Sequence, residues 1–263
     1  MTDQPNPQPV LTRQTQDRVR ILTLNRPERR NAFNNTMYLE LAQALTQANT
    51  DEGIGAILIT GAGPVFCAGQ DIHEMAMPDE GTPLGFVQLL DALVACDLPI
   101  LTAVAGYAVG IGATMLLHTD INIVAQGTRL RFPFVALGVV PEAASSAILP
   151  ALMGHQRAAE ILYTSRWIDA AESVELGLAV ATQPPESLLE HTLALARQIA
   201  SQAPQALKAT KRLLKAASAA PIRAALDREY AIFTDHLGSP ENLEAIQAFF
   251  DKRAPNFFPD EDA

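Results

Sequence analysis

The segment "GVVPEAASSAILP", residues 138–150, holds one ionisable side chain, Glu142, and no other formally charged residue lies between Arg131 and Arg157. A carboxylate among Val, Pro, Ala, Ile and Leu has two readings. In the first it belongs to a helix start: Pro141 suits the first helical position, and an acid in the first turn complements the dipole for roughly 0.3–1 kcal/mol. In the second it is a base kept dry, so that its proton affinity rises toward neutrality. The segment alone leaves both open.

Two glycine-containing strand ends offer a second chemistry. In "FCAGQDI" and "GYAVGIGATM" a strand meets a turn, and the second opens a helix. Small residues there let the backbone approach a ligand, and free N–H groups at a helix start favour a developing negative charge. Two such donors from different strand ends make an oxyanion hole. Glycine at strand ends is also common for purely structural reasons. Other constellations fail. "GIG" lacks the third glycine of a dinucleotide fingerprint, and no phosphate loop, HExxH or GxSxG is present. "DIHEM" groups Asp71, His73 and Glu74 at a spacing that fits no standard metal site, so no metal is expected. Ser145 and Ser146 lack an obvious base and read as helix-start residues. Cys67 reads as a small buried thiol rather than a nucleophile.

These residues need a frame to hold them. "VLTRQTQDRVRILTLN" reads as a hairpin turning near residues 16–18. "NNTMYLELAQALTQANTD" has Met37, Leu41, Ala44, Leu45 and Ala48 at helical spacing behind an Asn/Thr cap. "GAILIT" is a short apolar strand; residues 98–117 read as strand, turn and helix start; "INIVAQGTRLRF" adds two strands. From about Glu142 onward the pattern is helical. "DAAESVELG" carries an N-cap acid, a Glu three residues on and a terminal Gly. "PQALKATKRLLKAA" puts Lys208, Lys211, Arg212 and Lys215 on one helix face, a pattern usually solvated. The expected organisation is an α/β core over 10–200, a helical region over 201–263 and a loose polar arm over 1–9.

Bulk properties narrow the partners. The 263 residues carry a net charge of −10, which argues against nucleic-acid binding and requires a local basic patch for any polyanionic ligand. Two cysteines without metal spacing and no recognisable signal segment predict a reducing, cytoplasmic setting. The uncharged run 98–117 is long enough to span a bilayer, but Pro99, Gly106, Gly110 and Gly112 break it, so no membrane association is expected.

Taken together, "LNRPERRNAF", "FCAGQDIHEM", "AGYAVGIGATMLLHTDI", "LGVVPEAASS", "TSRWIDAAESVELGLAV", "APQALKATKRLLK" and "AFFDKRAPNF" resemble the landmarks of the crotonase (enoyl-CoA hydratase/isomerase) superfamily, in order, over about residues 18–258. The resemblance implies an α/β crotonase (ClpP-like) superhelix of ββα units, with a helical C-terminal trimerisation region that forms homotrimers or dimers of trimers. It implies an acyl-CoA thioester substrate and no separate cofactor, coenzyme A being part of the substrate. By position, the oxyanion hole would be the backbone N–H groups of Gln70 and Ile111. CoA would lie along Arg30 to Ala32 and along Ala68, Gly69, Asp71 and Ile72, its phosphates met by Arg26, Arg30 or Lys252.

The departures from the family pattern point to a subtype. Hydratases of this family use two glutamates, and those positions fall here on Thr114 and Phe134. Neither serves as a base near neutral pH. A double-bond shift needs only one base, to take a proton from C2 and return it at C4, while the oxyanion hole holds the dienolate. "PFVALGVVPEAASS" is most similar to peroxisomal-type 3,2-trans-enoyl-CoA isomerases, where the Glu after Pro is the base, which implies that role for Glu142. The expected activity is conversion of a 3-enoyl-CoA to the 2-trans-enoyl-CoA in fatty-acid oxidation. The alternatives are a hydratase-like paralogue adding water through Glu142 alone, and a non-catalytic acyl-CoA-binding protein.

Overall fold

The computed structural model describes residues 9–73 and 85–258. The expected arm over 1–9 falls outside these residues except for Pro9, as does Glu74 of "DIHEM".

A hairpin opens the described part of the chain. β1 (Leu11–Gln16) pairs antiparallel with β2 (Val19–Leu24), with Gln16 opposite Val19. The two-residue loop has Asp17 and Arg18 both at positive φ, 50° and 65°, a geometry that matches the twist of the flanking strands. α1 (Asn35–Thr50) follows, its Asn34 side chain accepting from the Met37 N–H at 2.9 Å as the sequence pattern predicts. Next come β3 (Ala56–Gly61) and α2 (Gly85–Ala95).

The uncharged run 98–117 resolves into β4 (Ile100–Val104), β5 (Tyr107–Val109) and the short α3 (Ile111–Thr114). β6 (Ile121–Ala125) and β7 (Arg129–Arg131) repeat the pattern and lead to α4 (Ser145–Met153). Each repeat sends one strand to each of two sheets. The larger sheet runs β1-β2-β3-β4-β6-β9, parallel after the hairpin, and ends at β9 (Ala181–Gln183). The smaller runs β5-β7-β8, with β8 at Trp167–Asp169. Both faces of the parallel strands are covered, which is why they read as apolar runs rather than alternating ones. Leu22, Leu24, Ile57 and Ile59 pack with α1 and α2, and Val19, Ile21, Ala56 and Leu58 pack with α7 (Leu188–Ala200) on the other face.

β8 and β9 lie inside the stretch that reads as helical, between α5 (His155–Thr164), α6 (Ala170–Glu175) and α7. At three residues each they are too short for a period of two to show. α6 carries the expected cap, Asp169 accepting from the Glu172 N–H.

The basic face of α8 (Pro204–Ala216) corrects an expectation, because Lys208, Lys211 and Lys215 are partly or fully buried and only Arg212 is exposed. Lys208 donates to the Asn49 carbonyl in the last turn of α1, and Lys215 to the Val94 and Cys96 carbonyls at the end of α2. Arg212 pairs with Asp97, and Lys211, 4% exposed, reaches Asp120 and the Leu98 carbonyl, each at 2.7 Å. Cations at the C-terminal ends of two helices complement both dipoles. Lys211→Met strands a partly buried carboxylate and a carbonyl, so urea denaturation should show a loss of about 2–4 kcal/mol. A change within about 0.5 kcal/mol would mean that the face contributes nothing to docking. α9 (Ala219–His236) and α10 (Pro240–Asp251) complete the described chain, and none of its helices is long and apolar enough to cross a membrane.

Candidate active site

A cavity of about 550 Å³ opens where the small sheet meets the C-terminal helices. Its walls include Arg30, Ala68, Gly69, Gln70 and Ile72 on one side and Val109, Gly110 and Ile111 beside them. Phe134, Leu137, Val139 and Glu142 follow, with Phe233 from α9 and Phe249 from α10. The surface is mainly apolar, and Glu142 is its sole carboxylate among the described residues.

Two backbone donors reach this space from separate strand ends. The bridge Cys67–Ala108 ties the 67–70 segment to β5, and the bridge Phe33–Gln70 ties it to Phe33 on its other side, so Gln70 and Ile111 sit on neighbouring strand ends. Each follows a glycine at positive φ, Gly69 at 104° and Gly110 at 52°, a conformation that disfavours other residues. The Gly110 turn starts α3, leaving the Ile111 N–H without an intrahelical acceptor. Neither amide donates to an acceptor among the described residues. Two unpaired N–H groups of residues on one cavity wall suit an oxygen that gains negative charge.

Glu142 is not in a helix first turn, which corrects the helix-start reading. α4 begins three residues later, at Ser145, and between them Ala143 and Ala144 adopt positive φ, 56° and 57°. The acid that complements this helix is Glu229 of α9. Its carboxylate accepts from the Ala144 N–H at 2.6 Å and the Ser146 N–H at 2.8 Å. The Glu142 carbonyl accepts from the Ser145 N–H and, at 2.5 Å, from its hydroxyl. His118 contacts the Ala143 carbonyl through Nε2 at 2.8 Å; a carbonyl only accepts, so that nitrogen carries the proton. Burial pulls the His118 pKa down to about 4, so the ring is neutral near neutral pH. The strained pair Ala143–Ala144 is therefore clamped from α9 and from residues 115–118.

The clamp leaves Glu142 half-buried on the mainly apolar cavity wall. Burial pushes its pKa from 4.5 up to about 8. The Thr114 hydroxyl, donating to Oε1 at 3.2 Å, opposes the rise, and the charge of Glu229 adds to it. Thr114 thus holds the carboxyl that its own position lacks. Phe134, 4% exposed, fills the second position with an aromatic wall. The Cys67 thiol is fully buried and its pKa is pushed up to about 12 by that burial, which makes it a poor nucleophile.

The sequence matches the enoyl-CoA hydratase/isomerase family over residues 14–260. The chain belongs to that family. It is 35% identical over 244 residues to 2,3-dehydroadipyl-CoA hydratase of Escherichia coli (strain K12), covering 92% of this chain and 96% of that one. It is 33% identical to 1,2-epoxyphenylacetyl-CoA isomerase of the same strain, covering 91% and 94%. A crystal structure of an enoyl-CoA hydratase/isomerase from Pseudoalteromonas atlantica T6c superposes with a TM-score of 0.91 at 39% identity, over 94% of this chain and 99% of that one. The crotonase-type α/β architecture of the family is thus the fold of this chain.

Within this member of the enoyl-CoA hydratase/isomerase family, the residues singled out from sequence separate into two groups. Arg30, Ala68, Gly69, Gln70, Ile72, Ile111 and Glu142 meet at the cavity. Arg26, Ala32, Asp71 and Lys252 are not on its walls. Arg26 is engaged internally, donating to the Asp71 carboxylate at 3.1 Å and the Ala32 carbonyl at 2.6 Å, so its charge is balanced by Asp71. Asp71 also accepts from the His73 N–H, and no three His, Cys, Asp or Glu side chains gather for a metal among the described residues. Lys252 is the exposed, left-handed C-cap of α10. Sequence reading missed Glu229, His118, Arg131 and Trp167. Only the "RLRF" and "SRW" runs gave a signal, as cationic and aromatic residues amid apolar ones.

Proposed function

We propose that the protein is an enoyl-CoA isomerase, akin to the peroxisomal-type 3,2-trans-enoyl-CoA isomerases, with Glu142 as its single acid and base. The observation that carries the reading is the half-buried carboxyl of Glu142, the sole carboxylate on a mainly apolar cavity wall that also carries two unpaired amides among the described residues. Ionised Glu142 removes a C2 proton of a 3-enoyl thioester. The Gln70 and Ile111 N–H groups hold the thioester oxygen as the dienolate forms, and the protonated carboxyl returns the proton at C4. The double bond moves from C3 to C2, and nothing else is consumed. A carboxyl with a pKa near 8 is a stronger base than an ordinary one and still a competent acid at neutral pH.

Under this reading CoA lies along Arg30 and Ala68 to Ile72 with its phosphates outward, and the chain works as a homotrimer or dimer of trimers. Water addition is the second reading, favoured by the hydratase name of a relative at 35% identity. Phe134 opposes it by placing a ring where a second carboxylate would orient water. The test is conversion of a 3-enoyl-CoA, followed by the rise of conjugated thioester absorbance. Because the base must be ionised, kcat/KM should climb with pH and level off above about 8. No turnover, or a flat profile between about pH 6 and 9, contradicts the assignment.

A further inference from the structure

The wall of the cavity beyond Ile111 carries a cation with no counter-charge among the described residues. Arg131 ends β7 with Val109 opposite it on β5 and Trp167 opposite it on β8, and all three line the cavity. Its Nε donates to the Ser165 carbonyl at 2.5 Å, and its guanidinium carbon lies 5.4 Å from the Trp167 ring centre. Trp167 is held in turn by Tyr107, ring centres 5.5 Å apart, and by Arg129 at 4.8 Å. The fork is thus fixed in place, yet neither Nη group has an acceptor and no carboxylate pairs with it among the described residues. Partial burial lowers its pKa, and no carboxylate among the described residues pairs with it to offset that cost.

A half-buried guanidinium, preorganised with both outer nitrogens free on a cavity wall, matches a carboxylate or phosphate. The order of strand ends across this wall is Phe33, Gln70, Val109, Arg131, Trp167, so Arg131 lies on the far side of the two free amides from Arg30. We propose that Arg131 recognises an anionic group of the bound thioester, either a carboxylate at the distal end of its acyl chain or a phosphate of its carrier. The aromatic pair Trp167–Tyr107 supplies the apolar floor against which that group is placed. This rests on the cavity being the seat of an acyl thioester and deepens it by naming a charged substrate class.

Binding of saturated thioesters tests this without needing turnover. Four ligands suffice: a six-carbon acyl chain ending in methyl or in carboxylate, each on CoA or on phosphate-free pantetheine. Titration calorimetry on Arg131→Met should show binding weakened about 10- to 100-fold for one class only. Loss confined to the carboxylate-ended chains on both carriers assigns the acyl end; loss confined to CoA ligands with both chains assigns the carrier. Arg131→Lys should recover part of it, keeping the charge without the fork. Wild-type-like affinity for all four ligands, or an equal loss for all four, overturns the proposal. Should Arg131→Met fail to fold, the wild type decides: methyl-ended pantetheine thioester bound as tightly as the three charged ligands overturns it. No binding of any thioester by the wild type would remove the acyl-thioester reading of the cavity as well.

Discussion

Glu142→Gln should lose about 10²- to 10⁴-fold in kcat for the double-bond shift, about 2.7–5.4 kcal/mol of barrier, with KM little changed. The amide keeps the shape and still accepts from Thr114, but it takes no proton from carbon. No other carboxylate lines the cavity among the described residues to substitute for it. The same variant supplies its own folding control. The carboxyl has a pKa of 4.5 when exposed and about 8 in the fold, so between those values the folded state holds the proton more tightly than the unfolded chain. Wild-type stability therefore falls as pH rises through that window, by up to about 1.4 kcal/mol per unit. Glu142→Gln lacks this fall. Its Tm should exceed that of the wild type at pH 9, and the gap should close by about pH 4.5. An active Glu142→Gln removes the proposed base, and an inactive one with an unfolded profile at pH 9 attributes the loss to structure.

The second large effect is expected at Glu229, which is not itself among the residues that line the cavity. Its carboxylate binds the Ala144 and Ser146 amides and so fixes the two left-handed residues that aim Glu142. Glu229→Ala leaves both N–H groups without their acceptor, beside a helix start that has no other acid. A loss of about 2–4 kcal/mol in stability and about 10- to 100-fold in kcat should follow. Glu229→Gln separates charge from shape. It retains one acceptor and removes the negative charge that helps raise the Glu142 pKa, while Thr114 and neutral His118 stay as they are. The rising limb of the pH profile should then move to lower pH. A limb that stays in place, with only kcat reduced, would confine Glu229 to capping the helix.

How much of this was legible depended on whether the partners were local. The Asp17–Arg18 hairpin, the Asn34 cap and the Asp169 cap all rest on contacts within a few residues, and their signatures are plain in the sequence. Glu142 stood out because burying a charge in an apolar segment is expensive and so calls for a reason. What surrounds it was hidden. Alanine gives no sign of left-handed backbone, so Ala143 and Ala144 read as the first turn of a helix that starts only at Ser145. The true dipole-complementing acid comes from 85 residues away. The α8 lysines read as solvated for the same reason, since Lys211 meets Asp120 across 91 residues of chain and Arg212 meets Asp97 across 115. Arg26 and Arg30 read alike as phosphate partners, and only the fold separates the one paired with Asp71 from the one on the cavity wall.

The central claim is that one carboxyl moves a proton between two carbons and adds no water. It is met most directly by giving the wild type, side by side, a 3-enoyl-CoA and the conjugated 2-trans-enoyl-CoA of the same length, and following the conjugated absorbance. The account predicts a rise with the first substrate that depends on Glu142, and little loss with the second. Loss of the conjugated absorbance from the second, faster than its appearance from the first, would contradict it and make the protein a hydratase.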